Sequence, residues 1–258
     1  VGLFGVLSNG LGIYTVKKCR HLHNSFGYLC LSHCIANMGV CATFLFWCAP
    51  TTLAQAEVIT SNEIGKKIGQ LNILFWDACV YSHFSISINR FICITFPLKA
   101  SNFFTARVTA VFIGIPWLLA LFHITPYFWV NDCFIFYDPL TWQWNYADTV
   151  CGNYISIYFD FYTGLAVFSV MLVTDMGTLL KLKLIHHKAA VFTDLRDHSH
   201  RRRQETRFFF QLLLHFHTSR VAVDGILLYY INIVTSRLQI FLSSTFVWVA
   251  CHAADGSV

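Results

Sequence analysis

The sequence predicts an all-α membrane protein: a bundle of seven transmembrane helices forming one domain over residues 1–258, its first and last helices short. Three observations carry this. Charged residues make up 12% of the chain and hydrophobic residues 56%, with a mean hydropathy of +0.55, whereas a soluble chain carries roughly 25% charged residues. So little charge cannot solvate the surface of a soluble domain, and it equally excludes a disordered chain or a coiled coil. Aromatic residues reach 17%, with 25 Phe, 11 Tyr and 7 Trp, which suits a protein whose flanks face lipid and whose edges sit at headgroups. The apolar residues fall into seven runs, and seven passes of about 20 residues each would use about 140, leaving short connections and no soluble domain. A β-barrel is disfavoured because segments 108–116 and 164–173 are apolar all round rather than alternating.

The first run covers residues 1–16 and ends on Lys17, Lys18, Cys19, Arg20 and His21. The second covers about 25–53, followed by a polar stretch over 54–67. The third covers 68–89 and is closed by Arg90, with a short basic connection over 97–107. The fourth is 108–130, after which 131–152 forms a long polar and aromatic loop. The fifth is 153–180, and 181–207 is strongly polar. The sixth, 208–234, is interrupted by polar residues, and the seventh is 238–254. The first run lacks the charged start and small-residue cleavage site of a signal peptide, and reads as a truncated helix.

Lys and Arg collect on the cytoplasmic side of a membrane protein. Lys17, Lys18 and Arg20 follow run one, Arg90, Lys99 and Arg107 follow run three, and Lys181, Lys183, Lys188, Arg196, Arg201, Arg202, Arg203 and Arg207 follow run five. The loop over 131–152 holds no Lys or Arg but has Asp132, Asp138 and Asp148. Seven passes then put the N-terminus outside and the C-terminus inside. The net charge of +5 describes a cytoplasmic face rather than a nucleic-acid site, because no fold presents it to a duplex.

Of the ten cysteines, Cys30, Cys34, Cys41, Cys48, Cys79 and Cys93 fall within apolar runs and read as small packing residues. Cys133 and Cys151 bracket one loop on the oxidising side. They are either a disulfide worth about 3 kcal/mol or two free thiols at a membrane edge. The 12 histidines include the pairs His21/His23, His198/His200 and His215/His217. Their i, i+2 spacing puts partners on different helical faces, which argues against a metal site. No Ser/His/Asp grouping, phosphate-binding glycine loop or HExxH occurs, so no cofactor and no enzymatic activity are expected.

Ser87-Ile88-Asn89-Arg90-Phe91 and the following Pro97-Leu98-Lys99 resemble the acid-Arg-aromatic motif at the inner end of the third helix in rhodopsin-like receptors. More strings match in order along the chain. Residues 24–33 with Ile35-Ala36-Asn37 and Phe46-Trp47-Cys48-Ala49-Pro50 are similar to the second helix of nematode serpentine chemoreceptors of class x. So are Gln70-Leu71-Asn72 with Phe75-Trp76-Asp77-Ala78-Cys79, Cys151-Gly152 with Asp160-Phe161-Tyr162, Arg202 to Phe209, and Trp248 to Gly256. The resemblance implies a G-protein-coupled receptor of rhodopsin-like architecture in the plasma membrane, in the cilia of sensory neurons. Its partners would be an external small molecule, the lipid bilayer and a heterotrimeric G-protein. It makes Asn89, Arg90, Phe91, Pro97 and Lys99 the coupling switch. Arg90 is a permanent cation at a helix end, able to hold neighbouring helices closed and to meet a G-protein when they part. Asn89 departs from the usual acid, and Asn37 stands where such receptors usually carry a sodium-binding Asp. Run six lacks a Cys-Trp-x-Pro motif, and Val258 ends the chain where the family continues. A truncated, non-signalling product is therefore the alternative, ahead of a histidine-rich membrane metalloenzyme.

Ionisable residues inside a membrane cost about 2.5–3.5 kcal/mol by insertion scales and mark function by default. At about 1.5 Å per residue, Asp77 lies about 20 Å from Arg90 along the third helix, in the outer half. Asp160 lies near the outer third of run five. These two either face a common ligand pocket, with Asn72, Trp76 and Tyr81 along the same wall, or make an interhelical hydrogen bond. Arg220 and Asp224, spaced i, i+4, can pair within a polar stretch over 211–225.

Overall fold

The computed structural model describes residues 1–128 and 132–190, together with 245, 246, 249, 250, 252 and 253. Runs six and seven, apart from those last few positions, and the polar stretch over 211–225 lie outside the described residues.

Helix α1 spans Gly2–Lys18. Helix α2 spans Ser25–Thr43, passes through a wider π turn at Phe44–Cys48, and continues as α3, Ala49–Ala54. Pro50 explains the wide turn: it has no N–H to close the regular ladder one turn back. A single turn, α4 (Glu57–Thr60), breaks the stretch read as polar linker. Helix α5, Glu63–Thr95, runs beyond both ends of the third apolar run. Pro97 then opens α6, Pro97–Phe103, and α7 spans Ala106–His123. After the hairpin, α8 (Val150–Tyr154) merges through a π segment at Ile155–Tyr162 into α9, Thr163–Ala190. Side-chain caps set the starts: Asn24, Asn62, Thr105 and Thr149 each accept a hydrogen bond from a backbone N–H of the first turn.

Three of the described helices are long and apolar enough to cross a membrane: Ser25–Ala54, Ala106–His123 and Val150–Ile185. Helix α5 is long enough but more polar, and the burial pattern shows why. Gln70, Asn72, Asp77, Ser82, His83, Ser85, Ser87 and Asn89 are all buried on it. It packs against α2, α7 and α9, so its polar groups face protein rather than lipid. Helices α7 and α9, by contrast, leave Leu118, Phe122 and Val173 largely exposed, as a surface solvated by hydrocarbon requires. One core cluster joins Ala36, Val40, Phe44, Ala78, Cys79, Ala120 and Val249.

The all-α expectation needs one correction. The loop read over 131–152 contains a two-stranded antiparallel sheet, β1 (Ile135–Asp138) and β2 (Gln143–Tyr146), with Ile135 opposite Tyr146 and Asp138 opposite Gln143. Asp138 makes the turn: its carboxylate accepts hydrogen bonds from Leu140 N (2.8 Å) and Thr141 Oγ1 (2.6 Å), and its carbonyl accepts from Trp142 N (2.8 Å). Trp142 adopts φ 61°, in the left-handed region. The Thr245 hydroxyl fastens it by donating to the Trp142 carbonyl at 2.6 Å. The hairpin lies on the bundle end: Ile135 packs with Ile73, Ile124, Tyr127, Cys133 and Ile155. Gly69 makes this possible, since a Cβ there would lie 2.1 Å from the Ile135 carbonyl oxygen.

Candidate functional site

Two polar clusters lie along α5, one at its middle and one toward its C-terminal end, and they are built differently. The centre of the first is His123, the last residue of α7, which is 5% exposed. A carboxylate only accepts, so His123 Nε2 carries the hydrogen it shares with Asp160 Oδ1 at 2.8 Å. The other carboxylate oxygen, Oδ2, accepts from two phenols, Tyr127 at 2.7 Å and Tyr146 at 2.5 Å. On its far side, His123 Nδ1 lies 3.0 Å from the Tyr81 hydroxyl and 3.9 Å from Asp77 Oδ1. Thus Asp77 and Tyr81 of α5, His123 of α7, Tyr127 after it, Tyr146 of β2 and Asp160 of the π segment form one connected network. Tyr146 lies in the hairpin, where burial and then the Asp160 carboxylate hold its phenol well above the ordinary value. It therefore stays a hydrogen-bond donor throughout the physiological range.

The disulfide braces this end. Cys133 and Cys151 are bonded, with Cα atoms 5.2 Å apart, and join the start of the hairpin to α8. Thr149 Oγ1 adds a hydrogen bond to the Asp132 carbonyl.

Of the candidates for a ligand pocket, Asp77, Tyr81 and Asp160 are brought together, with His123 between them. The Asp160 carboxylate is already held by three donors, whereas Asp77 Oδ2 is buried with no hydrogen-bond partner among the described residues. Trp76 turns elsewhere, its ring edge-on to His252 at 5.2 Å. Asn72 is fully buried, and neither its amide nitrogen nor its oxygen has a hydrogen-bond partner among the described residues. Asn37 accepts from Cys79 Sγ at 3.1 Å and sits 2.5 Å from His252 Nδ1, which ties α2, α5 and the last described segment together. Ser8 and Asn9 of α1 reach that segment too, donating to the carbonyls of Ala253 and His252.

Toward the C-terminal end of α5, Asn89 is buried and donates to Ser25 Oγ at 3.2 Å. The Arg90 guanidinium stands 5.4 Å from the centre of the Phe26 ring, a cation–π distance. Phe91 packs where α9 comes close, 3.3 Å from where a Cβ on Gly177 would lie. One turn before Arg90, Ser87 donates to the buried Asp175 of α9 at 2.6 Å. Pro97 opens α6, and Lys99 is exposed at the edge of a shallow cavity of about 340 Å³ with Ile92, Phe96 and Phe103.

The sequence reading did not single out His123, Tyr127, Tyr146 or Asp175. His123 and Asp175 carried a signal, because each is an ionisable residue within an apolar run, the same rule that selects Asp77 and Asp160. The two tyrosines carried none, since only the folded hairpin brings them to Asp160. No group of three or more metal-ligating side chains gathers among the described residues.

The family model described as "Serpentine type 7TM GPCR chemoreceptor Srx" matches residues 1–258. The chain is 27% identical to serpentine receptor class X 45 of Caenorhabditis elegans, over 98% of this chain and 74% of that protein. It is 26% identical to serpentine receptor class X-43 of the same organism, over 68% of this chain and 52% of that one. It is 28% identical to melatonin receptor type 1C of Xenopus laevis, over 58% of this chain and 35% of the receptor. These relatives are receptors and not enzymes, and the family is one of multi-pass membrane proteins. The chain belongs to the Srx family of serpentine seven-transmembrane G-protein-coupled chemoreceptors.

Proposed function

We propose that this chain is a chemosensory receptor that binds an extracellular small molecule at the hairpin end and engages a heterotrimeric G-protein at the Arg90 end. The orientation follows the charge bias, with the disulfide hairpin outside and Lys17, Lys18, Arg20, Arg90 and Lys99 inside. The single observation that carries the reading is the build of α5, one continuous helix from Glu63 to Thr95 that bears Asp77 and Tyr81 at its middle, against the His123 network tied to the hairpin, and Arg90 near its C-terminal end. The Asp77 oxygen and the Asn72 amide, without partners among the described residues, are groups that a polar ligand would satisfy. Asp160 acts on Asp77 through His123, and Trp76, whose ring meets His252, lies on the same helix as Asp77. A ligand that pairs with Asp77 differently in two arrangements of the bundle biases their populations by that difference. Asn89, Arg90, Phe91, Pro97 and Lys99 form the inner switch.

The test is expression in cultured cells with a G-protein reporter, screened against a small-molecule library. A hit should signal through the parent chain. It should lose coupling in Arg90→Ala while surface delivery and ligand binding persist. Unchanged signalling in Arg90→Ala would remove the assigned role of that residue, and binding indifferent to Asp77→Asn would remove the pocket.

A further inference from the structure

We propose a second binding site, outside the helical interior, for an amphiphile with an apolar chain and an ammonium head. A crevice of about 530 Å³ lies between the end of α7 and α8, beside the Cys133–Cys151 disulfide. Its walls are Phe122, Pro126, Tyr154, Ile155 and Phe159, and among the described residues the only charged one lining it is Asp132. None of Asn72, Trp76, Asp77, Tyr81 or Asp160 lines it. The volume falls within the roughly 300–1,000 Å³ of small-molecule sites.

The walls specify the chain of the ligand and the rim specifies its head. Phe122 and Tyr154 are more than half exposed, so the crevice opens on the flank of the bundle, where hydrocarbon meets headgroups. Asp132 is exposed on the hairpin side and has no cation paired with it among the described residues. The nearby cations are engaged elsewhere: Lys66 with Glu63 and over the Phe134 ring, Lys67 over the Phe128 ring. Residues 132–152 contain no Lys or Arg. An apolar slot with one acid at its wet edge is complementary to a cationic amphiphile and repels an anionic one.

One wall is fixed by the disulfide. The other is the π segment, an irregular backbone of the kind found at functional sites. Phe159 on that segment also faces inward, edge-on to His123 with ring centres 5.2 Å apart, and its neighbour is Asp160. An occupant that moves Phe159 therefore presses on the His123 network from outside.

Two sources supply this chemistry: an aminophospholipid of the bilayer and a free long-chain amine. The experiment uses the purified full chain in phosphatidylcholine nanodiscs, with a diazirine-bearing dodecylamine as photolabel and mass spectrometry to map the adducts. Labelling should concentrate on residues 122–126 and 151–159, and dodecylamine should compete where dodecanol does not. Asp132→Asn should weaken that competition about ten-fold, the effect of a charge-assisted hydrogen bond. Thr125→Trp, which fills the crevice from an exposed position, should abolish labelling without lowering thermal stability. Competition by added phosphatidylethanolamine assigns the site to a bilayer lipid, and competition by the free amine alone assigns it to a soluble ligand. Adducts spread evenly over the lipid-facing helices, or unchanged by both substitutions, would overturn the proposal. Binding is read without signalling, so its failure leaves the receptor reading standing.

Discussion

At its middle, α5 touches a network that contains two carboxylates, a histidine and three phenols, tied to the hairpin through Tyr146 and braced by a disulfide. Toward its Arg90 end, the described contacts are a neutral amide on a hydroxyl, a cation over a ring and one hydroxyl on a carboxylate. The difference is one of bond strength and of how many elements each contact joins. Asp160 alone draws together α7, the turn after it, β2 and the π segment. Asn89 joins only α5 to the first residue of α2. Charge-assisted hydrogen bonds are about twice as strong as neutral ones, and the Asp160 carboxylate accepts three of them, whereas the Asn89 contact with Ser25 is a neutral one. The replacement of the usual acid by Asn89 fits that division, because no carboxylate beside Arg90 in sequence locks it locally.

The comparison breaks first at Asp160. Asp160→Ala strips the acceptor from His123, Tyr127 and Tyr146 together, and losing one partner of a buried pair costs about 3–5 kcal/mol. The expected result is loss of surface delivery and a large fall in the thermal midpoint of the purified protein. A midpoint close to that of the parent would show that the network is not what holds this end.

Next comes the disulfide. Cys133→Ser and Cys151→Ser should each cost about 3 kcal/mol, and the double variant should cost no more than either single one. Unequal single effects would mean that one thiol has a separate role. Gly69→Ala should follow at about 1–3 kcal/mol, because its Cβ pushes the Ile135 carbonyl and lifts β1 off α5. Hydrogen exchange of the hairpin amides measures this directly, and faster exchange confined to residues 135–146 is expected.

At the other end, Asn89→Ala should cost only about 0.5–1.5 kcal/mol, the worth of a neutral hydrogen bond, yet raise basal coupling in the reporter assay. A stability loss as large as that of Asp160→Ala would erase the contrast between the ends.

The smallest effect is one of pH. The folded state holds the Tyr146 proton more tightly than the unfolded chain, and burial pushes Tyr137 up to about 12. A raised folded value means that these groups contribute fully below the ordinary phenol value near 10, and that the contribution falls as pH rises past it. Thermal midpoints should therefore be insensitive to Tyr146→Phe in their pH dependence between about pH 6 and 9 and diverge only above about pH 10. A slope difference near neutrality would contradict the donor role of Tyr146.

Much of the helical frame was legible from composition and periodicity. The apolar runs at 1–16, 25–53, 68–89, 108–130 and 153–180 each contain a helix; those at 68–89 and 153–180 are extended by a turn or more, and the helix in 108–130 stops at His123. The extensions come from local chemistry that hydropathy does not weigh, such as the Asn62 cap that starts α5 ahead of its apolar run. The hairpin was not legible. Its strands are four residues each, and their stability comes from packing on Ile73 and Ile124 rather than from a long alternating pattern. Within the candidate site, Asp77 and Asp160 stand out in the sequence because a carboxylate in an apolar run is costly and rare. His123 was hidden among 12 histidines, although its position at the end of an apolar run sets it apart.

The sequence alone determined that the chain lives in a membrane, which segments are helical, which end of each carries positive charge and which family motifs lie along it. These are properties of local composition and order, and each residue contributes to them independently of the rest. Only the tertiary structure decided that Asp160 spends its carboxylate on His123, Tyr127 and Tyr146, that Asp77 keeps an oxygen without a partner among the described residues, and that Trp76 turns to His252. Those outcomes depend on helix rotation, on the wide π turns and on a hairpin folded back over the bundle. A hydrogen bond switches on or off within about an ångström, a precision that no periodicity in the chain encodes.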